Sequence, residues 1–134
     1  MGEHELYKQV AIFLQMKYPD VFYRFDLAAD LKLTIGQARK HKMIHPYRGY
    51  PDLFLAEPAP RCIDGGWKYE WHGLFIELKK EGTRLKKKNG EWASDHIYEQ
   101  ALVLEQLREK GYKAEFAVGY REAIELIDDY LGGK

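Results

Sequence analysis

The sequence predicts an α/β protein in which a mixed β-sheet is flanked by helices. Apolar residues recur at helical spacing near both ends of the chain, and two short apolar runs near its middle are typical of buried central strands. Predicted helices and strands follow one another along the chain, as in a sheet covered by helices. With 134 residues, we expect a single domain spanning residues 1–134.

The first third of the chain predicts a helix, a strand and a second helix. Apolar residues at helical spacing run from Leu6 to about Lys17. The segment Val21–Phe25 has the composition of a strand. A capping box at Thr34–Gln37 is expected to open a short basic helix that ends before Pro46.

The middle of the chain predicts two central strands, Asp52–Ala56 and Gly73–Lys79. Two prolines and a pair of glycines lie between them, so we expect either a loop or a hairpin extension there. The segment Glu81–Trp92 is charged and contains glycine, and is expected to be a mobile loop.

The last third predicts helix, strand and helix. Ser94 or Asp95 is expected to cap a helix that runs to Lys110. A strand follows at Lys113–Val118, and an amphipathic helix at Tyr120–Leu131 is expected to close the chain.

The composition bounds the class of protein. Hydrophobic residues make up 46% and charged residues 31%, as expected for a soluble globular protein without a membrane partner. No apolar run approaches the roughly 18 residues of a transmembrane helix, and the N-terminus shows no signal-peptide pattern. The lone Cys62 excludes an internal disulfide and a cysteine-built zinc site, which fits a cytoplasmic protein.

The basic residues are clustered although the formal net charge is zero. Residues 39–48 contain no acid, and residues 79–88 contain a single one. Local basic clusters can bind phosphates even in a neutral chain, although two solvated basic loops are an equal alternative on composition alone. The clusters flank the acidic strands, so we favour nucleic-acid binding. The candidate contact residues are Arg39, Lys40, Lys42, Arg48, Lys86, Lys87 and Lys88.

Acidic residues stand in the two central strands where a purely structural strand would not carry them. Side chains alternate between faces, so Glu77 and Lys79 project to one side, and Asp52 can lie beside Glu77 if the strands pair. Two carboxylates and an ammonium group can hold a hard divalent cation and activate a water against a phosphodiester. The alternative is that both acids lie in solvent at strand ends. The apolar neighbours indicate buried strands, where a carboxylate needs a partner or a metal.

The runs Gly49–Phe54 and Gly73–Lys80, followed by Gln100 in the next helix, resemble the PD-(D/E)XK nuclease signature. Their order is similar to that of the small stand-alone VRR-NUC nucleases of bacteriophages and bacteria. The resemblance implies a restriction-endonuclease-like core and a DNA endonuclease that depends on Mg²⁺ or Mn²⁺. It also implies selectivity for branched DNA, such as flaps or four-way (Holliday) junctions, and a cytoplasmic location in a bacterial or phage-infected cell.

The resemblance implies specific roles for residues of the central strands and the following helix. Asp52, Glu77 and the backbone carbonyl of Leu78 would bind the metal. Lys79 would either orient the attacking water or neutralise charge on the transferring phosphate, and its spacing does not decide between them. Gln100 would support Lys79. On spacing alone, a glutamine satisfied by local backbone is an equal alternative.

The resemblance further implies an acid in the first helix that is catalytic and binds the metal. Glu3 continues the apolar stripe of the helix backwards, whereas Glu5 falls to one side. Helix N-termini also attract acids for electrostatic reasons alone. The family usually carries a glutamine about one turn after this acid, and here the position holds Tyr7.

Two further expectations concern partners. A homodimer would supply the two symmetric incisions that resolving a four-way junction requires, with the aromatic-rich segment 67–75 as candidate interface. Trp67, Tyr69, Trp71 and Trp92 could instead stack on unpaired bases or pack into the core. The alternative to an enzyme is a catalytically weak nuclease-fold module that binds nucleic acid without cutting it.

Overall fold

The computed structural model describes residues 2–26, 32–62 and 68–132. These ranges contain four helices and six strands in an order close to the expected one. In chain order they are α1 (Glu3–Lys17), β1 (Tyr23–Phe25), α2 (Ile35–Ile44), β2 (Leu53–Leu55), β3 (Ala59–Cys62), β4 (Lys68–Trp71), β5 (Leu74–Lys79), α3 (Asp95–Glu109), β6 (Lys113–Val118) and α4 (Gly119–Tyr130).

Four of the strands form the mixed central sheet, in the order β1-β2-β5-β6. β1 pairs with β2 and β2 with β5 in antiparallel orientation, whereas β5 and β6 are parallel. A parallel pair needs a crossover connection, and α3 provides it between β5 and β6. The predicted mixed α/β architecture is therefore confirmed.

Both faces of the central strand β5 are covered. All six of its residues are buried. Leu74, Ile76 and Leu78 belong to the main core with residues of α1 and α4, whereas Phe75 packs with Leu104 of α3 and with β6. This alternation leaves Glu77 and Lys79 on the α3 side of the sheet.

The segment between the two central strands forms a separate antiparallel hairpin, β3–β4, with Ala59 opposite Trp71. Its connecting residues 63–67, including Trp67, lie outside the described residues. Trp71 is half-buried against the core, and Leu74 and Phe75 are buried. Leu74 and Phe75 are therefore part of the core, and the use of 67–75 as an interface stays a prediction.

Helix α2 has the expected cap but no buried residue. Thr34 Oγ1 accepts from the Gln37 amide at 3.1 Å, and the Thr34 amide donates to Gln37 Oε1 at 2.9 Å, which completes the capping box. None of the ten residues of α2, all of which are described, is buried. The helix thus projects its basic side chains into solvent.

The segment Glu81–Trp92 is more regular than the mobile loop that was expected. Lys86 and Trp92 form an antiparallel bridge, and the Lys87 amide donates to the Glu91 carbonyl at 2.7 Å. The Trp92 ring packs on Phe116 of β6 with centroids 5.7 Å apart, and the Lys86 ammonium lies 4.7 Å from the Trp92 centroid. This contact with β6 anchors a short hairpin, a long-range interaction that local composition does not reveal.

The C-terminal elements agree with expectation to within a residue or two. Ser94 caps α3, its hydroxyl accepting from the Ile97 amide at 3.2 Å. Gly111, with φ of 96°, follows the end of this helix. No helix in the described ranges has the length and apolar character needed to cross a bilayer.

Candidate active site

The buried polar residues mark the candidate site. In the described part of the chain, four polar or charged residues are buried: Asp52, Glu77, Lys79 and Gln100, which are 6%, 3%, 8% and 5% exposed. All four were singled out from the sequence. Buried charges are costly unless they are paired or bind an ion, so such a group calls for a functional explanation.

The sheet places Asp52 beside Glu77. Leu53 lies opposite Ile76 in the β2–β5 register, so Asp52, one residue before β2, lies across from Glu77. The Leu78 amide donates to Asp52 Oδ2 at 3.0 Å. The Asp26 amide donates to the Asp52 carbonyl oxygen at 2.7 Å, which fixes the backbone as well.

The charged form of Glu77 is strongly disfavoured in this arrangement. Burial, followed by hydrogen bonding to Asp52 and the charge of Asp52, raises the pKa of Glu77 far above its usual range, while the charge of Lys79 opposes the shift. Lys79 Nζ lies 3.7 Å from Glu77 Oε2. Glu77 Oε1 is buried without a hydrogen-bond partner. In the absence of a cation the Glu77 carboxyl therefore favours its protonated form.

The acid–lysine patch, defined as Asp52, Glu77 and Lys79, fits a divalent cation of the magnesium type. Mg²⁺ is held in proteins by one or two carboxylates and keeps several waters. The two adjacent carboxylates and the unpartnered oxygen of Glu77 meet that requirement, and the Leu78 carbonyl is a further candidate ligand. In the described residues, no three or more Asp, Glu, His or Cys side chains are grouped so that they could hold a metal ion. Glu3 thus does not complete a three-carboxylate group here.

Glu3 nevertheless acts on the site electrostatically. It lies exposed in the first turn of α1, and its charge contributes to the raised pKa of both Tyr7 and Glu77. Both groups therefore lie within electrostatic range of the Glu3 carboxylate.

Tyr7 is a site neighbour that the sequence reasoning did not assign. It is 5% exposed and stacks on Phe25 with ring centroids 5.4 Å apart. Burial raises its pKa, and so do the charge of Asp52 and the hydrogen bond to that residue. Its position four residues after Glu3, on the same face of α1, is the signal that could have identified it.

The amide nitrogen of the Gln100 side chain contacts His96, a residue that was not assigned to the site from the sequence. Gln100 Nε2 and His96 Nε2 are 3.2 Å apart, whereas Gln100 Oε1 is buried without a partner. His96 is exposed and lies one helical turn before Gln100, a spacing that could have revealed it. The amide contact is thus made by a side chain and not by local backbone.

Gly49, between α2 and β2 in the chain, lies close to the backbone of the helix that carries Gln100. It adopts a φ of 78°, and a Cβ built there would lie 3.0 Å from the Gln100 backbone nitrogen. Next to it, Arg48 Nη1 lies 4.0 Å from Glu99 Oε1. The segment just before Asp52 therefore lies against the N-terminal half of α3 at Arg48 and Gly49.

The candidate nucleic-acid contacts are all exposed and lie in two segments that adjoin the site in the chain. One segment precedes Asp52 and the other follows Lys79. The exposed residues are Arg39, Lys40, Lys42, Arg48, Lys86, Lys87 and Lys88. Arg48 and Lys86 already have partners in Glu99 and Trp92, which leaves the others freer to meet a polyanion.

The mixed sheet with its flanking helices is the fold of the PD-(D/E)XK nucleases. The structure matches a solved structure described as a "VRR_NUC domain protein" with a TM-score of 0.60 and 25% sequence identity, over 98% of this chain and 88% of that one. The match confirms the resemblance seen in the sequence and implies a nuclease-family protein, with a nucleic-acid partner and divalent metals in general. No protein-family model matches the chain, and no curated protein does.

Proposed function

We propose that residues 1–134 form one domain that hydrolyses DNA phosphodiester bonds with the help of Mg²⁺ or Mn²⁺. The observation that carries this proposal is the buried acid–lysine patch, in which Glu77 Oε1 has no partner. Two adjacent buried carboxylates destabilise a fold when both are charged, and a bound cation removes that cost. Their presence is therefore best explained by a ligand.

The residues divide the chemistry among them. Asp52, Glu77 and the Leu78 carbonyl would hold the cation, and Glu3 would add the charge of its exposed carboxylate from α1. Once bound, the cation supplies an activated water and stabilises charge on the scissile phosphate. Lys79, beside Glu77, orients the attacking water or neutralises charge on the phosphate.

Gln100 supports this machinery from α3. Its buried amide contacts His96 on one side and leaves Oε1 unpartnered on the other. A buried amide oxygen without a donor is available to a water or to an ammonium group. We therefore assign Gln100 the role of positioning Lys79 or the attacking water through its Oε1 atom.

The proposed substrate is branched DNA, a flap or a four-way junction. The two exposed basic segments adjoin the site before Asp52 and after Lys79, so DNA could be held on both sides of the cut. For a junction we further propose a homodimer, since two symmetric incisions require two sites. Light scattering tests this: a mass near the 15.8 kDa of one chain would remove the junction-resolving role and leave flap or general cleavage.

Cleavage assays test the activity itself. The purified protein with Mg²⁺ or Mn²⁺ is expected to cut linear, flapped or four-way DNA, and EDTA is expected to stop it. Asp52→Asn should abolish cutting while circular dichroism shows an intact fold. Asp20→Asn, which changes an exposed aspartate, is the matched control and should cut like the wild type. Cleavage retained in Asp52→Asn would overturn the proposal. DNA binding without any cleavage by the wild type would instead favour the non-cutting module.

A further inference from the structure

We propose that a cavity beside the acid–lysine patch binds one unpaired nucleobase of the DNA substrate. The cavity has a volume of about 430 Å³ and lies between the hairpin that ends at Trp92, helix α3 and strand β6. This inference rests on the proposed function, since it identifies the part of the substrate that a surface next to the site would recognise.

Aromatic and apolar side chains form much of the cavity wall. Trp92 and Phe116 line it with their ring centroids 5.7 Å apart, and Tyr98 and Leu102 line it from α3. Tyr98 is 50% exposed, so its ring is open to a ligand. Nucleobases stack on aromatic side chains whatever their sequence, because every base has a π-face.

The cavity also carries charged groups that a purely apolar ligand would leave unpaired. Arg108 and Glu115 line it and form an ion pair at 3.6 Å, and Glu105 adds a second carboxylate. These guanidinium donors and carboxylate acceptors match the hydrogen-bonding edge of a base. Carboxylates repel a phosphate, so the base is expected to enter while its phosphate stays outside.

The hairpin supplies positive charge for the phosphate of the same nucleotide. The Lys86 ammonium lies 4.7 Å from the centroid of Trp92, a ring that lines the cavity. The exposed Lys87 and Lys88 follow directly in the chain. Cations beside an aromatic cavity fit a nucleotide, which combines a π-face with a negative backbone.

The sheet register places the cavity next to the candidate active site. Phe116 of β6 lies opposite Glu77 of β5, and neighbouring strands are about 5 Å apart. Phe116 packs with Phe75 and Leu104 on the α3 side of the sheet, the side that carries Glu77. A base in the cavity therefore belongs to a nucleotide near the scissile phosphate. Taking a base out of the stack costs least when it is already unpaired, so the cavity favours the single strand of a flap or branch.

A scan with abasic DNA tests the inference. Flapped DNA is prepared in which one unpaired nucleotide at a time, close to the cleavage position, lacks its base. Binding to the Asp52→Asn protein is measured by fluorescence anisotropy, and cleavage by the wild type provides a second readout. Loss of the base at a single position is expected to weaken binding by about fivefold or more. Equal affinity and equal cleavage at every position would overturn the inference.

Tyr98→Ala then links that position to the cavity. Without the Tyr98 ring, most of the difference between intact and abasic DNA should disappear. Phe22→Ala is the matched control, because Phe22 is 81% exposed and precedes β1 at the opposite edge of the sheet; it should keep the full difference. A general loss of stability would weaken binding of both DNAs alike and would leave the difference in place. Discrimination as strong in Tyr98→Ala as in the wild type would overturn the inference.

Two further outcomes separate this inference from others. If light scattering showed a dimer that Tyr98→Ala converts to monomers, a second copy of the chain would occupy the cavity and the inference would be overturned. If the wild type neither bound nor cut any DNA, the proposed function itself would fail. If it cut DNA but no unpaired position responded to the loss of its base, only the base-binding cavity would fail.

Discussion

The backbone amide of Leu78 donates a hydrogen bond to Asp52 Oδ2 across 3.0 Å, joining the start of one central strand to the end of another. Leu78 lies between Glu77 and Lys79, so this bond fixes Asp52 relative to both members of the acid–lysine patch. The site is thereby carried by the rigid centre of the sheet, where side chains are held more precisely than on loops.

Replacing the buried acid Glu77 with glutamine should stabilise the metal-free protein. The raised pKa of Glu77 means that the folded state keeps a proton that the unfolded chain releases above its ordinary pKa of 4.5. Stability of the metal-free wild type therefore falls as pH rises through this window. Glutamine does not titrate, so Glu77→Gln avoids the cost of charging this buried side chain. In EDTA at pH 8 the variant should therefore be more stable than the wild type by about 1 kcal/mol or more.

Thermal unfolding in EDTA between pH 5 and pH 8 measures this effect. The advantage of Glu77→Gln should shrink toward pH 5, and the variant should lose cleavage. Glu70→Gln, which changes an exposed strand glutamate, should match the wild type throughout. A Glu77→Gln variant less stable than wild type at pH 8 would contradict the raised pKa.

Lys79→Met should reduce the cleavage rate by about 100-fold or more, because it removes the ammonium group 3.7 Å from Glu77 Oε2. Methionine retains much of the buried aliphatic stem, so the fold should persist. Lys80→Met, at the adjacent exposed position, is the control and should stay near the wild-type rate in the same single-turnover assay. Equal losses in both variants would point to bulk charge instead of a catalytic role for Lys79.

Gly49→Ala should disturb the close approach of the segment before Asp52 to α3. Gly49 and Gly82 both have positive φ, 78° and 87°, so alanine at either position should cost about 1 kcal/mol from backbone strain. Only at Gly49 would the added Cβ also meet backbone, 3.0 Å from the Gln100 nitrogen, since nothing lies within 4 Å at Gly82. Melting temperatures and cleavage rates should therefore drop further in Gly49→Ala. Identical effects at the two glycines would show that the close approach of Gly49 to the Gln100 backbone affects neither stability nor cleavage.

Lys40→Gln and Lys87→Gln should each weaken DNA binding and lower its salt dependence. Removing one phosphate contact is expected to reduce the slope of log K against log salt by about 1. Fluorescence anisotropy with the Asp52→Asn protein measures binding without cutting. Lys110→Gln, beyond the far end of α3 from Gln100, is the control with an unchanged slope. Unaltered slopes in the first two variants would remove these segments from the DNA-binding surface.

Much of the candidate site could be predicted because it depends on local periodicity. Side chains two residues apart share a strand face, so Glu77 and Lys79 fall together in any structure that keeps β5. Gln100 lies three residues after Ile97 on the buried stripe of α3, and both are buried. The bridge between Lys86 and Trp92, inside the expected loop Glu81–Trp92, was not predicted. Trp92 packs on Phe116, which lies 24 residues further along the chain, and local composition does not reveal such a contact.

The sequence by itself determined most of the elements, the caps of α2 and α3, and which residues share one face of a strand or helix, since these follow from interactions within a few residues. Only the tertiary structure decided the strand order, the parallel pairing of β5 with β6, and the register that sets Asp52 across from Glu77. It also decided that α1 brings Tyr7 to Asp52 and that the charge of Glu3 acts on Glu77. The physical reason is that contacts between residues distant in the chain depend on the packing energy of the whole core. No single local pattern determines that energy.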